Sequence, residues 1–248
     1  MRHDSRPLDQ LRPVTVTRGF TQTPAGSVLW KQGNTVILAN ASIDSKLPPW
    51  FGPKNVGGWL SCEYVMLPAS TPQRKPWPKS GHTDGRGTEI QRLIGRSLRA
   101  AVDLSKLGPH AISIDCQVLQ ADGGTRTASI CAGFVALRDA INKLPKTLSP
   151  DPKQNPLTVA AYDPSQVIVD PLSAVSVGIV EGEVRLDLDY LDDSAANVDM
   201  NLCYTKAGRY IEIQAAAENG QGYTHDQLVA MLELGRAGCQ SLLKIMGE

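Results

Sequence analysis

The chain has 248 residues, of which 42% are hydrophobic, and its 25 lysines and arginines are balanced by 25 aspartates and glutamates. A chain of this length and composition predicts one large or two small compact units with a buried core. The formal net charge of zero at pH 7 excludes a global positive field as the basis of nucleic-acid binding, so any RNA binding must rest on local clusters.

The first part of the chain alternates between strand-like and helical patterns of apolar residues. The predicted elements are strands at 14–20, 26–43 and 58–67, a helix from Thr88, a strand at 111–120 and a helix at 125–144. The second strand-like run contains a hairpin turn at residues 32–34. The helix from Thr88 places Ile90, Leu93 and Ile94 on one apolar face.

A proline-rich connector at residues 144–171 separates two halves, 1–143 and 172–248, because its prolines prevent one continuous element. Four strands follow at 173–180, 184–190, 200–206 and 209–215, and then a helix at 228–246. Thr224 and Gln227 have the spacing of a capping box. Strands followed by helices in each half predict an α+β or mixed α/β layered fold.

The cysteines and the hydropathy of the chain indicate its compartment. The cysteines form no C-x-x-C pair and lie mostly in apolar runs: Cys62, Cys116, Cys131, Cys203 and Cys239. Buried reduced thiols of this kind are typical of cytoplasmic proteins, so we expect the cytoplasm. Residues 1–13 lack the apolar core of a signal peptide, and no segment reaches the roughly 18 unbroken apolar residues of a membrane helix, so we expect no membrane partner.

The segment ADGGTRT, residues 121–127, lies between a predicted strand and a predicted helix. Its glycines allow a tight turn, and the free N–H groups at Gly124 and the helix start favour an anion. Thr125 adds a hydroxyl donor and Arg126 a fixed charge, so the predicted ligand is inorganic phosphate. The alternative is a plain turn in which Thr125 caps the helix and Arg126 is solvated.

Arginines mark the start and one face of the helix in residues 85–100. Arg86 stands just before the predicted helix start and meets the same anion as Arg126 if the two helix starts converge. The stripe of Arg92, Arg96 and Arg99 recurs at helical spacing and is a candidate RNA-binding face. The alternative is a solvated or subunit-contacting face.

An acidic run at residues 186–201 contains five aspartates: Asp187, Asp189, Asp192, Asp193 and Asp199. The two-residue period predicts that Asp187 and Asp189 share one face of a strand, and the following loop can fold Asp193 toward Asp199. Paired carboxylates beside a phosphate site favour a hard cation such as Mg²⁺. The alternative is a solvated acidic turn.

Eight segments in order along nearly the whole chain resemble the bacterial ribonuclease PH family. They are RPVTVTRGFT, GSVL, GGWLSCEYVMLPAST, GRGTEIQRLIGRSLRAAVDL, LQADGGTRTAS, AVSVGIV, LDLDYLDDSAANVDMN and EIQAAAE. The resemblance implies one ribonuclease PH domain over residues 1–248, related to the second-domain fold of ribosomal protein S5, in a homohexamer built as a trimer of dimers. It implies a phosphorolytic 3′→5′ exoribonuclease, or tRNA nucleotidyltransferase, that acts on the 3′ ends of tRNA and not on DNA.

The resemblance also implies roles for matching positions. Arg86, Thr125 and Arg126 match the family's site for the attacking phosphate, and Asp193 and Asp199 match its catalytic, Mg²⁺-binding carboxylates.

The chain departs from the family pattern in four places. The loop at 69–86, where the family grips tRNA with several arginines, has fewer basic residues; the candidates for RNA contact there are Arg74, Lys75 and Lys79, together with Trp77 as a stacking platform or as an anchor of the loop. Gln117 replaces an aspartate, AAAE at 215–218 replaces GTAE, and the connector is longer than usual.

A rival hypothesis is a non-catalytic RNA-binding subunit of a related ring. Such a subunit is expected to have lost the acidic pair, Asp193 and Asp199, or the GGTR loop, residues 123–126. This chain keeps both. A generic nucleotide-metabolising enzyme would need base- or ribose-recognition motifs, which the sequence does not display.

Overall fold

The computed structural model describes residues 2–52, 54–77, 85–148, 154–218, 220 and 222–248. Two β-sheets and five α-helices in these residues form a mixed α/β fold, which confirms the predicted fold class.

The first sheet has the strand order β1-β2-β3-β5-β4. Its strands are β1 (Val14–Arg18), β2 (Gly26–Gln32), β3 (Thr35–Asp44), β4 (Trp59–Met66) and β5 (Ala111–Gln120). Neighbouring strands are antiparallel except β4 and β5, which are parallel. The helix α1 (Gly85–Ala100) makes the crossover between these two parallel strands. The predicted hairpin turn between β2 and β3 is confirmed, with Gly33 at a φ of 56°.

The second sheet is antiparallel and has the order β7-β6-β8-β9. Its strands are β6 (Leu172–Val180), β7 (Glu183–Leu186), β8 (Val198–Thr205) and β9 (Tyr210–Ala217). All nine residues of β6 are buried, because α2 (Thr125–Ile141) and α5 (His225–Met246) both pack on it. The capping box predicted for α5 is confirmed, since Thr224 and Gln227 exchange side chain to backbone hydrogen bonds.

The helix α2 lies at the centre of the molecule and contacts strands of both sheets. It is buried around most of its circumference, as expected for a helix that is apolar on all sides. One hydrophobic core extends from Trp30 in the first sheet to Leu202 in the second. The start of α2 is therefore held rigidly between the sheets.

The five cysteines are buried and free, which confirms the predicted thiols. In the described ranges, no helix combines the length and the apolar character that crossing a membrane requires.

Two predicted boundaries were wrong. The helix α1 begins at Gly85 and not at Thr88, because Gly85 and Gly87 carry no side chain that could reveal helical periodicity. The strand predicted at 184–190 ends at Leu186, and a short helix, α4 (Tyr190–Ala195), follows it.

The connector at 144–171 contains two short helical pieces, as expected for a segment that cannot be one continuous element. They are α3 (Pro156–Ala161) and a 3₁₀ helix at Pro164–Gln166. Pro150 and Pro152 lie outside the described residues. The division of the chain into halves at this connector stays a prediction.

Candidate active site

The GGTR loop connects the end of β5 to the start of α2. Gly123 and Gly124 have φ values of 70° and 62°, a left-handed conformation that residues with a side chain rarely adopt. Gly124 is the N-cap of α2 and offers no side-chain cap. The first N–H groups of α2 are thus left for an anion at the positive end of the helix dipole.

Thr125 is the first residue of α2, so the alternative in which it caps this helix is wrong. Its hydroxyl oxygen accepts a hydrogen bond of 3.0 Å from the buried Tyr64 hydroxyl. Because Tyr64 occupies an acceptor position, the proton of Thr125 is directed elsewhere and is available to a ligand. No sequence pattern distinguished Tyr64, which lies in an apolar strand.

Arg126 is oriented by two residues that the sequence patterns did not indicate. Its Nη1 donates to Gln214 Oε1 at 3.0 Å and lies 4.0 Å from Glu89 Oε1. Gln214 in turn donates to Glu89 at 2.8 Å. Gln214 lies on β9 and Glu89 on α1, so both elements converge on the start of α2.

Arg86 lies in the first turn of α1 and is exposed. Burial raises the pKa of Tyr64, and the charges of Arg86 and Arg126 both act to lower it. The same two arginines act to lower the pKa of Asp193. Both arginines thus lie near Tyr64 and Asp193, and Glu89 of α1 lies 4.0 Å from Arg126 of α2, so the starts of the two helices are close together, as a common anion requires.

Three carboxylates of the acidic run have structural partners. The prediction that Asp187 and Asp189 share a strand face was wrong, because Asp187 has a φ of 54° and the chain leaves the sheet there. Asp189 instead accepts from the backbone N–H of Asp192 as the N-cap of α4, and it also contacts His3 Nε2 at 2.7 Å.

Asp187 and Asp192 are buried in ion pairs with arginines. Asp187 pairs with Arg12 at 2.7 Å. Asp192 pairs with Arg2 at 2.8 Å and with Arg185 at 2.7 Å. The alternative of a solvated acidic turn is wrong for these two carboxylates, since both are almost fully buried.

Asp193 and Asp199 are the partly buried carboxylates of the acidic run on which the charge of Arg126 acts. Burial, and after it the charge of Asp193, raises the pKa of Asp199 to about 6, while Arg126 acts to lower it. Burial also raises the pKa of Asp193. Asn201 donates to Asp199 Oδ2 at 3.2 Å. The two carboxylates place negative charge in a partly desolvated site, and Arg126 offsets part of it.

Glu218 adds to that charge from the end of the AAAE segment. Its charge raises the pKa of both Asp193 and Asp199, and its backbone N–H binds the Asn197 carbonyl at 2.9 Å. The described part of the chain contains no group of three or more metal-ligating side chains. Two carboxylates nevertheless fit Mg²⁺, which keeps waters and substrate phosphates as its remaining ligands.

The candidate RNA contacts fall into two groups. Arg92 and Arg96 lie along an open groove of about 320 Å³ that begins at Gly85. Arg99 does not join them, because its Nη1 donates to the Leu60 carbonyl at 3.1 Å and its guanidinium lies 5.5 Å from the centre of the Trp59 ring.

The second group lies in the basic loop. Arg74 and Lys75 are exposed, and Trp77 is 64% exposed, so its ring is open to another molecule. Lys79 lies outside the described residues.

Comparison with known proteins identifies the family. Residues 10–141 match the model of domain 1 of the 3′ exoribonuclease family, and residues 170–238 match that of domain 2. Ribonuclease PH of Rhodopirellula baltica is 47% identical over 241 residues, which cover 97% of this chain and 94% of the relative. Ribonuclease PH of a Synechococcus species is 49% identical over 245 residues, with 98% and 94% coverage.

A solved structure shares the fold. The Archaeoglobus fulgidus exosome with RNA bound to the active site superposes with a TM-score of 0.77 at 21% identity, over 98% of this chain and 91% of that chain. The two matching family models and the full-length relatives establish that this chain belongs to the 3′ exoribonuclease family.

Proposed function

We propose that the chain is a phosphate-dependent 3′→5′ exoribonuclease that trims 3′ extensions of tRNA precursors and releases nucleoside diphosphates. The observation that carries this proposal is the packing of the loop before α2 on the segment that carries Asp193: the backbone N–H of Tyr190 donates to Asp122 Oδ1 at 3.2 Å. The charge of Arg126 accordingly acts to lower the pKa of both Asp193 and Asp199. An anion site and an acidic pair in contact are what phosphorolysis of a phosphodiester requires.

In this mechanism, inorganic phosphate is held by the side chains of Arg86, Thr125 and Arg126 and by the backbone N–H groups of the GGTR loop at Gly124. One of its oxygens attacks the phosphorus of the last phosphodiester of the RNA. The new P–O bond forms as the bond to the 3′ oxygen of the shortened RNA breaks, and the released nucleotide carries both phosphates. Because this product keeps an anhydride bond, the reverse reaction adds nucleotides from diphosphates.

Asp193 and Asp199 are the residues that would hold Mg²⁺. The cation would supply positive charge near the departing 3′ oxygen. At Asp199 the charge of Asp193 adds to burial in raising the pKa, and a bound cation would relieve that repulsion.

For the RNA, we propose contacts from Arg92 and Arg96 along the groove and from Arg74, Lys75 and Trp77 in the basic loop. Lys79 belongs to the same proposal on sequence grounds alone. We further propose a homohexamer arranged as a trimer of dimers, RNA and not DNA as the substrate, and the cytoplasm as the compartment. The five buried thiols support the compartment.

The test is incubation of the purified protein with a 3′-extended tRNA, with and without phosphate. We expect nucleoside diphosphates, seen by chromatography, only when phosphate is present. Asp199→Asn should abolish their release, and Asp226→Asn, an exposed aspartate in the first turn of α5, is the matched control that should not. Monophosphates formed equally without phosphate would make the protein a hydrolase, and RNA binding with no products would favour the non-catalytic ring subunit.

A further inference from the structure

The GGTR loop, together with Asp122 just before it, contacts the first part of the acidic run, residues 187–193, which we call the acidic loop. The contacts are made by Asp122 and Gly123. The backbone N–H of Tyr190, the first residue of α4, donates to Asp122 Oδ1 at 3.2 Å. Gly123 packs so closely on the acidic loop that a Cβ there would lie 2.5 Å from the Leu188 carbonyl oxygen. The loop before α2 and the first turn of α4 thus meet with no space between them.

Arg12 joins the same two loops from the N-terminal segment. Its Nη2 and Nε donate to the Asp187 carboxylate at 2.7 and 3.1 Å, and its Nη1 donates to the Asp122 carbonyl. The Arg12 side chain is 5% exposed and that of Asp187 is 1% exposed. One planar guanidinium therefore bridges the acidic loop and the GGTR loop in a dry environment.

We propose that Arg12 and Asp122 are positioning residues that lock the phosphate-binding loop to the helix carrying Asp193. Neither needs to touch the substrate, and the inference rests on the proposed function. A bound phosphate and the acidic pair must keep a fixed separation for in-line attack, and a displacement of about 1 Å in such a geometry costs on the order of 100-fold in rate.

Each loop has a separate anchor that does not depend on this link. Thr35 accepts from the Asp122 backbone N–H at 3.1 Å and donates to the Gly123 carbonyl at 2.7 Å, which ties the GGTR loop to β3. Arg6 donates to the Asp187 carbonyl at 2.9 Å. Breaking the link should consequently leave both loops folded while freeing them to move relative to each other.

Asp122→Ala and Asp122→Asn form a matched pair for the test. The alanine variant loses the acceptor for Tyr190, and the asparagine variant keeps an oxygen at the same place. We expect the alanine variant to lose about 10- to 100-fold in kcat with little change in the KM for phosphate, and the asparagine variant to recover most of the rate. A role confined to folding would instead lower the melting temperature of both variants or raise the KM.

Arg12→Lys extends the test, since a lysine keeps a charge beside Asp187 and loses the fork that reaches Asp122. Asp122→Ala removes the carboxylate that Tyr190 binds and leaves the backbone carbonyl that Arg12 binds, so the two variants break two separate bonds of the link. Each should lower kcat by itself, and the double variant should lower it further. Unchanged kcat in Asp122→Ala and in the double variant would overturn the inference.

Hydrogen exchange makes the test independent of turnover. Adding inorganic phosphate should slow amide exchange at residues 187–193 in the wild type and not in Asp122→Ala. If phosphate slows exchange at residues 187–193 in the wild type and yet no diphosphates are released, the proposed function fails and the link stands. If the wild type releases diphosphates and phosphate does not slow exchange at these residues, the link fails by itself.

Discussion

Asp192 and Asp193 are neighbours in the same short helix, and their environments are opposite. Burial acts to raise the pKa of Asp192, but hydrogen bonds and charges from Arg185 and Arg2 outweigh it and lower the pKa. Burial dominates at Asp193 and raises its pKa. The carboxylate of Asp192 is paired inside the fold, whereas that of Asp193 is partly desolvated. The acidic run thus divides into structural carboxylates and the proposed reactive pair, Asp193 and Asp199.

The largest expected effect is on turnover. Asp193→Asn and Asp199→Asn should each lower the rate of diphosphate release by at least about 100-fold, because the change keeps the side-chain shape and removes the charge that would hold the cation. Neither variant should lose stability, since the replaced carboxylates have raised pKa values and repel other charges. Rates come from chromatography of products and stability from thermal unfolding; near wild-type rates in both would remove the acidic pair from the mechanism.

Asp192→Asn, one position earlier, should instead lower stability and spare turnover. This change removes the carboxylate that pairs with the buried guanidinium of Arg2 and leaves Arg185 with Glu181 and Glu183 as its acidic partners. Losing one partner of a buried pair typically costs about 3–5 kcal/mol of folding free energy. Urea unfolding of Asp192→Asn and Asp193→Asn side by side measures the contrast. Equal stability of the two variants would contradict the division into structural and reactive carboxylates.

Asp170, a structural carboxylate outside the acidic run, extends the comparison because its contribution to stability depends on pH. Burial acts to raise the pKa of Asp170, and hydrogen bonds from Arg209, Thr205 and Ala207 outweigh it, so that the pKa is lowered from 3.8. Because the folded-state pKa lies below the unfolded value, this group stabilises the protein above about pH 4, and the contribution is lost as pH falls through the folded value.

Asp170→Asn should therefore cost about 1–3 kcal/mol at neutral pH, and the difference from wild type should shrink below about pH 4. Unfolding measured from neutral pH into acid checks this. A stability difference between wild type and Asp170→Asn that grows in acid would contradict this prediction.

The smallest effects are expected at the exposed cations. Replacing Arg74 and Lys75 by alanine should flatten the salt dependence of RNA binding by about 0.7 per lost phosphate contact on a single strand. Trp77→Ala should weaken binding by about 1–3 kcal/mol if the ring stacks a base.

With its reduced basic loop, the protein should discriminate less between tRNA and a short unstructured RNA than relatives with the full arginine set. A strong tRNA preference that vanishes in the Arg74/Lys75 variant would show that these two charges suffice.

The sequence alone determined most of the elements and named the candidate residues of the site. Hydrophobic periodicity predicted most of the strands, the long helices and the hairpin between β2 and β3, because burial of one face imposes a period of about 2 or 3.6 residues on the chain. The residues of the GGTR loop, Arg86, Asp193 and Asp199 were candidates from the sequence, because glycine and arginine at a helix start suit an anion and paired aspartates suit a cation. The same residue types also form plain turns and caps, so the sequence left that choice open.

Only the tertiary structure decided which carboxylates are held in ion pairs and what orients the GGTR loop. Local spacing predicted a strand through Asp187 and Asp189, but the ion pair between Asp187 and Arg12 bridges 175 positions of sequence and turns the chain out of the sheet. Tyr64, Gln214 and Asp122 were missed for the same reason. Their roles depend on partners far away in the chain, and no local periodicity carries information about which distant side chain a buried polar group will meet.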